Sequence, residues 1–203
     1  MIGNDIVDLA LAKQESNWRR ARFLDKVFTA HEQHLIHTAN DPDCMVWLLW
    51  SMKESAYKLV TRQTGKRVFA PQKIACQLTN SYPEALEGVV SYEGTHYTRS
   101  VLTHRYVATT ASSEFIYNSI NQSIISFDNA TYQTQHTTIQ KSIKQHCATR
   151  FSTPETSIHI HKNESGAPVL RINDMFNLPL SISHHGYYGA YVIGLLAIEP
   201  TIE

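Results

Sequence analysis

The chain has 203 residues and a mass of 23.1 kDa, with 42% hydrophobic and 18% charged residues. A chain of this size buries roughly 70% of its unfolded surface in one or two units, which excludes wholesale disorder. Lys+Arg and Asp+Glu are both 18, a formal net charge of zero, which argues against a general nucleic-acid binder.

In chain order, residues 2–9 read as a short strand. Thr29 with Glu32 three residues later has the form of a capping box, opening a helix to about Thr38. Asn40-Asp41-Pro42-Asp43 is a second start signal, with Asp41 able to cap and Pro42 at the first helical position. Cys44–Arg62 then carries Met45, Leu48, Leu49 and Met52 at helical spacing, and Gly65 suits a left-handed stop. Beyond it the period shortens toward two. Lys73–Thr79, Leu86–Tyr92 and His96–Ala111 are expected as three strands, with Tyr92-Glu93-Gly94-Thr95 as a hairpin turn. Residues 112–133 are polar, with Ile120, Ile124, Ile125 and Phe127 scattered through them, and read as a linker or an irregular strand. Thr138–Thr149 is expected to be helical, with Ile139, Ile143 and Cys147 on one face. Ser157–His161, Pro168–Ile172 and Leu180–Ile198 (with a break) complete the strands.

A short internal repeat relates residues 101–108 to 181–190. The expected fold class is therefore α+β: two pseudo-repeated halves, each a small antiparallel sheet packed with a long helix. Their bounds are 1–112 and 134–203, with 113–133 between. Cys44, Cys76 and Cys147 are widely spaced and odd in number, as in a reducing compartment. The opening Met1-Ile2-Gly3-Asn4-Asp5 lacks the regions of an export signal. The apolar runs Met45–Trp50 and Tyr191–Ile198 are too short to span a bilayer. A soluble, cytoplasmic protein is expected.

Chemistry concentrates in Trp50-Ser51-Met52-Lys53-Glu54-Ser55-Ala56-Tyr57-Lys58. Glu54 and Lys58, four apart, share a helix face, and alone they would read as a surface ion pair. Asp5 changes that reading, because an acid in an otherwise apolar strand is expensive without a partner. Two such carboxylates suit a shared Mg²⁺, and a lysine one turn away suits phosphate chemistry. Ser183-His184 lacks a Gly-x-Ser-x-Gly elbow, which leaves a hydrolase reading weak. His31, His34 and His37, and likewise His159 and His161, lack cysteine or acid partners at zinc spacing and read as surface residues.

The order Gly3-Asn4-Asp5-Ile6-Val7-Asp8, Trp50-x-x-Lys53-Glu54-x-x-x-Lys58, Ser165-Gly166-Ala167-Pro168 and Ser181-Ile182-Ser183-His184 resembles the 4′-phosphopantetheinyl transferases. Arg22–Thr29 with Glu32 is similar to the first helix region of the short, holo-acyl-carrier-protein-synthase type. The resemblance covers the first ~70 and last ~45 residues, as the motif positions show. It implies the fold of that family and transfer of phosphopantetheine from coenzyme A to a serine of an acyl or peptidyl carrier protein. Asp5 and Glu54 match the Mg²⁺ carboxylates; Glu54 would also accept the serine proton, and Lys58 would stabilise the phosphate or the leaving group. Ser183 and His184 would reach the coenzyme A phosphates. Arg22 in the basic cluster Trp18-Arg19-Arg20-Ala21-Arg22, and Lys66 beside Arg67, would hold its 3′-phosphate or attract an acidic carrier; a solvated helix face is the plain reading of both.

Three departures qualify the match. Val7 stands where two-domain members carry a third acid, as in the short type, so water would complete the coordination. Ala167 stands where lysine is common, and Asp8 is left as a supporting candidate. The Ser-x-Ser-His element follows the metal half, whereas in two-domain members it precedes it. The length and the repeat suggest a pseudo-dimer in one chain, with a trimer as the alternative. A catalytically silent coenzyme A- or nucleotide-binding protein on the same fold is the competing function.

Overall fold

The computed structural model describes residues 1–83, 85–114, 122–164, 166–173 and 175–194, apart from the Phe176 side chain. Strand β1 (Ile2–Asp8) leads through short helices α1 (Leu9–Glu15), α2 (Phe23–Val27) and α3 (Ala30–Thr38) into the long α4 (Pro42–Thr64). Strands β2 (Ala75–Ser81), β3 (Leu86–Ser91), β4 (Thr95–Leu102) and β5 (Tyr106–Ser112) follow. Then come β6 (Gln122–Ser126), α5 (Tyr132–Phe151), β7 (Ile158–Lys162), β8 (Pro168–Ile172), β9 (Phe176–His185) and β10 (Tyr188–Ile193).

Local signals fix α4. The Asp41 side chain accepts from the Cys44 N–H, Pro42 opens the first turn, and Gly65 closes the helix at φ 73, a left-handed conformation that glycine adopts without a Cβ penalty. Its apolar face, including Trp47, Leu48 and Met52, packs with Ile74, Cys76, Val90 and Val107 in the first core. The second core gathers Ile139, Ile143 and Cys147 of α5 against Ile158, Leu170, Leu180 and Tyr191.

The two sheets have the orders β1-β5-β4-β3-β2 and β6-β10-β9-β8-β7, antiparallel throughout. They are the same topology used twice: an edge strand, a long helix, then three strands and a return beside the first. This is the α+β fold of pseudo-repeated halves that the sequence led us to expect.

The units meet along β1. Its Asn4 donates from the backbone N–H to Ser181 Oγ and from Nδ2 to Ser183 Oγ, each at 2.9 Å. The Asp8 N–H donates to His185 Nδ1 at 2.9 Å, and the Tyr187 N–H donates to Asp8 Oδ2 at 3.0 Å. Ile6, Ala108 and Ala190 add an apolar patch, with the Tyr106 and Tyr188 rings 5.1 Å apart. Asp8 is thus a tie between the units, and its other oxygen caps α1 through Ala10 and Leu11.

Three expectations need correction in detail. The run His96–Ala111 is two strands, because Thr103 folds a turn with its own hydroxyl: the Arg105 and Tyr106 N–H groups donate to Thr103 Oγ1. No glycine or proline marks that turn, so the sequence pattern runs through it. Helix α5 begins at Tyr132, six residues before the expected start, because Thr131 caps it by accepting from the Thr134 N–H and its first turns are polar. Residues 122–126 form β6, paired with β10, so the second unit starts upstream of 134. Residues 115–121 of the expected linker, and 195–198 of the last expected strand, lie outside the described residues. No helix among those described is long and apolar enough to cross a membrane.

The capping box of α3 is present, and Glu32 does more than cap. Fully buried, it meets Lys53 Nζ at 2.8 Å and accepts from the Cys76 N–H at 2.7 Å. Lys53 also donates to the carbonyls of Pro71 (2.9 Å) and Ile74. Lys53→Met strands the Glu32 carboxylate and should cost about 3–5 kcal/mol, read by urea denaturation. Lys53→Met with Glu32→Gln should be more stable than Lys53→Met alone, since the stranded charge is gone.

Candidate active site

The site starts at Gly3. A Cβ there would lie 2.1 Å from the Ser55 carbonyl oxygen and 2.8 Å from the Leu59 nitrogen, so only glycine lets β1 and α4 approach this closely. Ser55 Oγ ties the same turn to β5, donating to the Thr109 carbonyl at 3.1 Å. Helical spacing then places Glu54 and Lys58, one on either side of Ser55, above Asp5 two residues along the strand.

Lys58 Nζ donates to Asp5 Oδ1 at 2.9 Å and to the Asn4 carbonyl at 3.0 Å. Glu54 faces the same pocket with its pKa pushed up to about 6, by burial first, then by the Asp5 charge, with Lys58 opposing. The pocket, about 170 Å³, is lined from the first unit by Asp5, Val7, Trp47, Trp50 and Glu54, and from the second by His184 and His185. Burial lowers the His184 pKa, and the Lys58, His136 and His185 charges push the same way. At neutral pH His184 therefore offers a neutral imidazole.

The remaining expected residues fall elsewhere. Ser183 is buried, its hydroxyl held by Asn4. Period two in β9 turns Ser181, Ser183 and His185 onto β1 and leaves His184 on the opposite face. Arg22 is exposed at φ 66 as the first residue before α2, and Lys66 is exposed past the end of α4; neither lines the pocket. The basic cluster is partly neutralised, since Arg19 pairs with Asp43 at 2.7 Å and lies over the Trp18 ring. Ser165 lies outside the described residues, but Arg67 reaches the neighbouring Gly166. Sequence reading missed Trp47 as a wall of the pocket and Asn4 as the tie to the second unit. An amide inside an apolar strand was the available signal for Asn4.

Two carboxylates fit Mg²⁺, which binds through one or two carboxylates and keeps waters and phosphate oxygens for its other positions. Among the described residues no three His, Cys, Asp or Glu side chains gather as a metal cage. The sequence profile of the 4′-phosphopantetheinyl transferase superfamily matches residues 1–111, more than half the chain.

The chain belongs to the 4′-phosphopantetheinyl transferase superfamily.

No curated protein sequence matches it. The profile match spans the first sheet and α4, hence Asp5, Glu54 and Lys58, while His184 of this phosphopantetheinyl transferase superfamily member lies beyond it.

An acid whose folded pKa is raised binds more protons folded than unfolded, so its cost to stability grows as pH rises from 4.5 to 6 and persists above. In EDTA, Glu54→Gln should therefore raise stability by ~1–2 kcal/mol at pH 8. The gain should vanish at pH 4, as measured by thermal melting at the two pH values; an equal gain at both would contradict the assignment.

Proposed function

We propose that this protein moves 4′-phosphopantetheine from coenzyme A to a serine hydroxyl of an acyl or peptidyl carrier protein, releasing adenosine 3′,5′-bisphosphate, with Mg²⁺ at Asp5 and Glu54. The observation that supports this is one pocket lined by two acids of the first unit and a histidine of the second, with Lys58 paired to one of those acids. The cation, when bound, would neutralise the diphosphate and stabilise the charge that builds on its oxygens.

The chain's own groups divide the remaining work. Glu54 accepts the serine proton, directly or through one water, as the serine oxygen–phosphorus bond forms and the phosphorus–oxygen bond to the adenosine side breaks. Lys58, already held at Asp5 by its 2.9 Å ion pair, supplies positive charge to the departing phosphate. His184, a neutral imidazole, binds phosphate oxygen by a hydrogen bond rather than an ion pair. Ser183 acts at one remove, by fixing β9 against β1. Arg22 and Lys66, both exposed, act on anionic coenzyme A or an acidic carrier at longer range. The site draws on both units of one chain, which supports a monomeric pseudo-dimer over a trimer.

Incubation with coenzyme A, Mg²⁺ and a panel of apo carrier proteins tests the reading by mass spectrometry. One carrier should gain a phosphopantetheinyl group; coenzyme A binding without transfer to any of them would favour a silent binding protein. Glu54→Gln should lower kcat by about 100-fold or more with the fold intact. Asp5→Ala should shift the rate-versus-Mg²⁺ curve to higher Mg²⁺. His184→Ala should raise the KM for coenzyme A more than it lowers kcat.

A further inference from the structure

Beyond His184 the surface carries an aromatic ledge that the transfer chemistry does not use. Tyr132, the first residue of α5, is 69% exposed. One face of its ring stacks on His136, one helical turn on, with centroids 5.7 Å apart and planes at 22°. Its ring also meets the His184 ring edge to face, with centroids 6.3 Å apart and planes at 68°. An exposed aromatic side chain held in one orientation by two imidazoles is a platform for a flat ring, since stacking on such a face is strong and tolerant of geometry. The position gives the platform its meaning: His184 lines the pocket of Asp5 and Glu54 and feels the Lys58 charge, so the ledge adjoins the place where a diphosphate would be held. The same pocket is also lined by Ala12, Trp47 and Trp50 of the first unit, which are apolar.

Resting on the donor-site reading above, we propose that the open face of Tyr132 seats the purine base of the donor. The nucleotide half then lies over the second unit, and the uncharged pantetheine half points toward Trp47 and Trp50. The ledge thereby makes the site selective for a nucleoside-bearing diphosphate over a bare one. Tyr132 contributes through its ring and not its hydroxyl.

Calorimetric titration of the full chain, in Mg²⁺, with adenosine 3′,5′-bisphosphate and separately with inorganic pyrophosphate tests this in wild type, Tyr132→Ala and Tyr132→Phe. Tyr132→Ala should bind the nucleotide roughly tenfold more weakly while Tyr132→Phe stays near wild type. All three should bind pyrophosphate alike and melt at the same temperature, because the side chain is exposed. Unchanged nucleotide affinity in Tyr132→Ala overturns the platform, as does an equal loss of pyrophosphate affinity. A wild type that binds pyrophosphate but no nucleotide overturns the platform and leaves the metal-site reading standing. A wild type that binds neither probe overturns the donor site itself, and the platform with it.

Discussion

The fold and the site both depend on how closely β1 lies beneath α4. At Gly3 the backbone of α4 occupies the space a side chain would need, with the Ser55 carbonyl 2.1 Å from where a Cβ would be. This contact sets the height of the helix above the strand, and with it the reach of Glu54 and Lys58 to Asp5. The other side of β1 is covered by β9 and β10, so all seven of its residues are buried. A strand covered on both faces cannot show hydrophobic alternation. Its polar residues are therefore each committed: Asn4 to Ser181 and Ser183, Asp8 to α1 and the β9–β10 turn, and Asp5 to Lys58 and the pocket.

Repetition of one topology raises the question of why the acids gather on one side. The strand pairings answer it. Asp5 lies opposite Thr109 of β5, and Ser123 lies opposite Tyr191 of β10. Aligning Tyr106-Val107-Ala108 with Tyr188-Gly189-Ala190, whose tyrosine rings meet at the interface, makes Thr109 and Tyr191 equivalent, so the counterpart of Asp5 in the second unit is Ser123. Counting back from the left-handed residues that end the two long helices, Gly65 and Ser152, sets Lys141 where the first unit has Glu54. A serine and a lysine supply no carboxylate for Mg²⁺. The second unit instead lends His184. One unit thus supplies the acids and the other the cover.

What the sequence makes legible follows from how local its causes are. Helix α4 is readable because its start, stripe and stop are written in Asp41, Pro42 and Gly65. Glu54 and Lys58 are readable as neighbours because four residues make one turn. The β4–β5 turn is hidden because a threonine hydroxyl replaces the usual glycine, and β6 is hidden because an edge strand of Gln, Ser and Ile has no clean period. Tyr132 and Trp47 have no local signature at all. Their roles arise from the meeting of elements distant in the chain, and single-sequence periodicity carries no term for that.

The same reasoning bears on how firmly the site is assembled. Glu54 is raised to about 6 by burial and by Asp5, so at neutral pH the pocket keeps a charge it would be more stable without, a cost typical of functional positions. Such a charge is useful only if the groups around it stay in place. His184 comes from the other unit and would be the loosest of them, were it not flanked by Ser183 and His185, which both bond to β1. The Asp8 N–H donating to Nδ1 also fixes which nitrogen of His185 is unprotonated, and leaves Nε2 facing Glu15 at 3.4 Å. With its two neighbours clamped to the strand that carries Asp5, His184 cannot shift against that acid unless the interface between the units opens. Preorganisation of the pocket and cohesion of the two halves are therefore one property, set by the residues on either side of a single histidine.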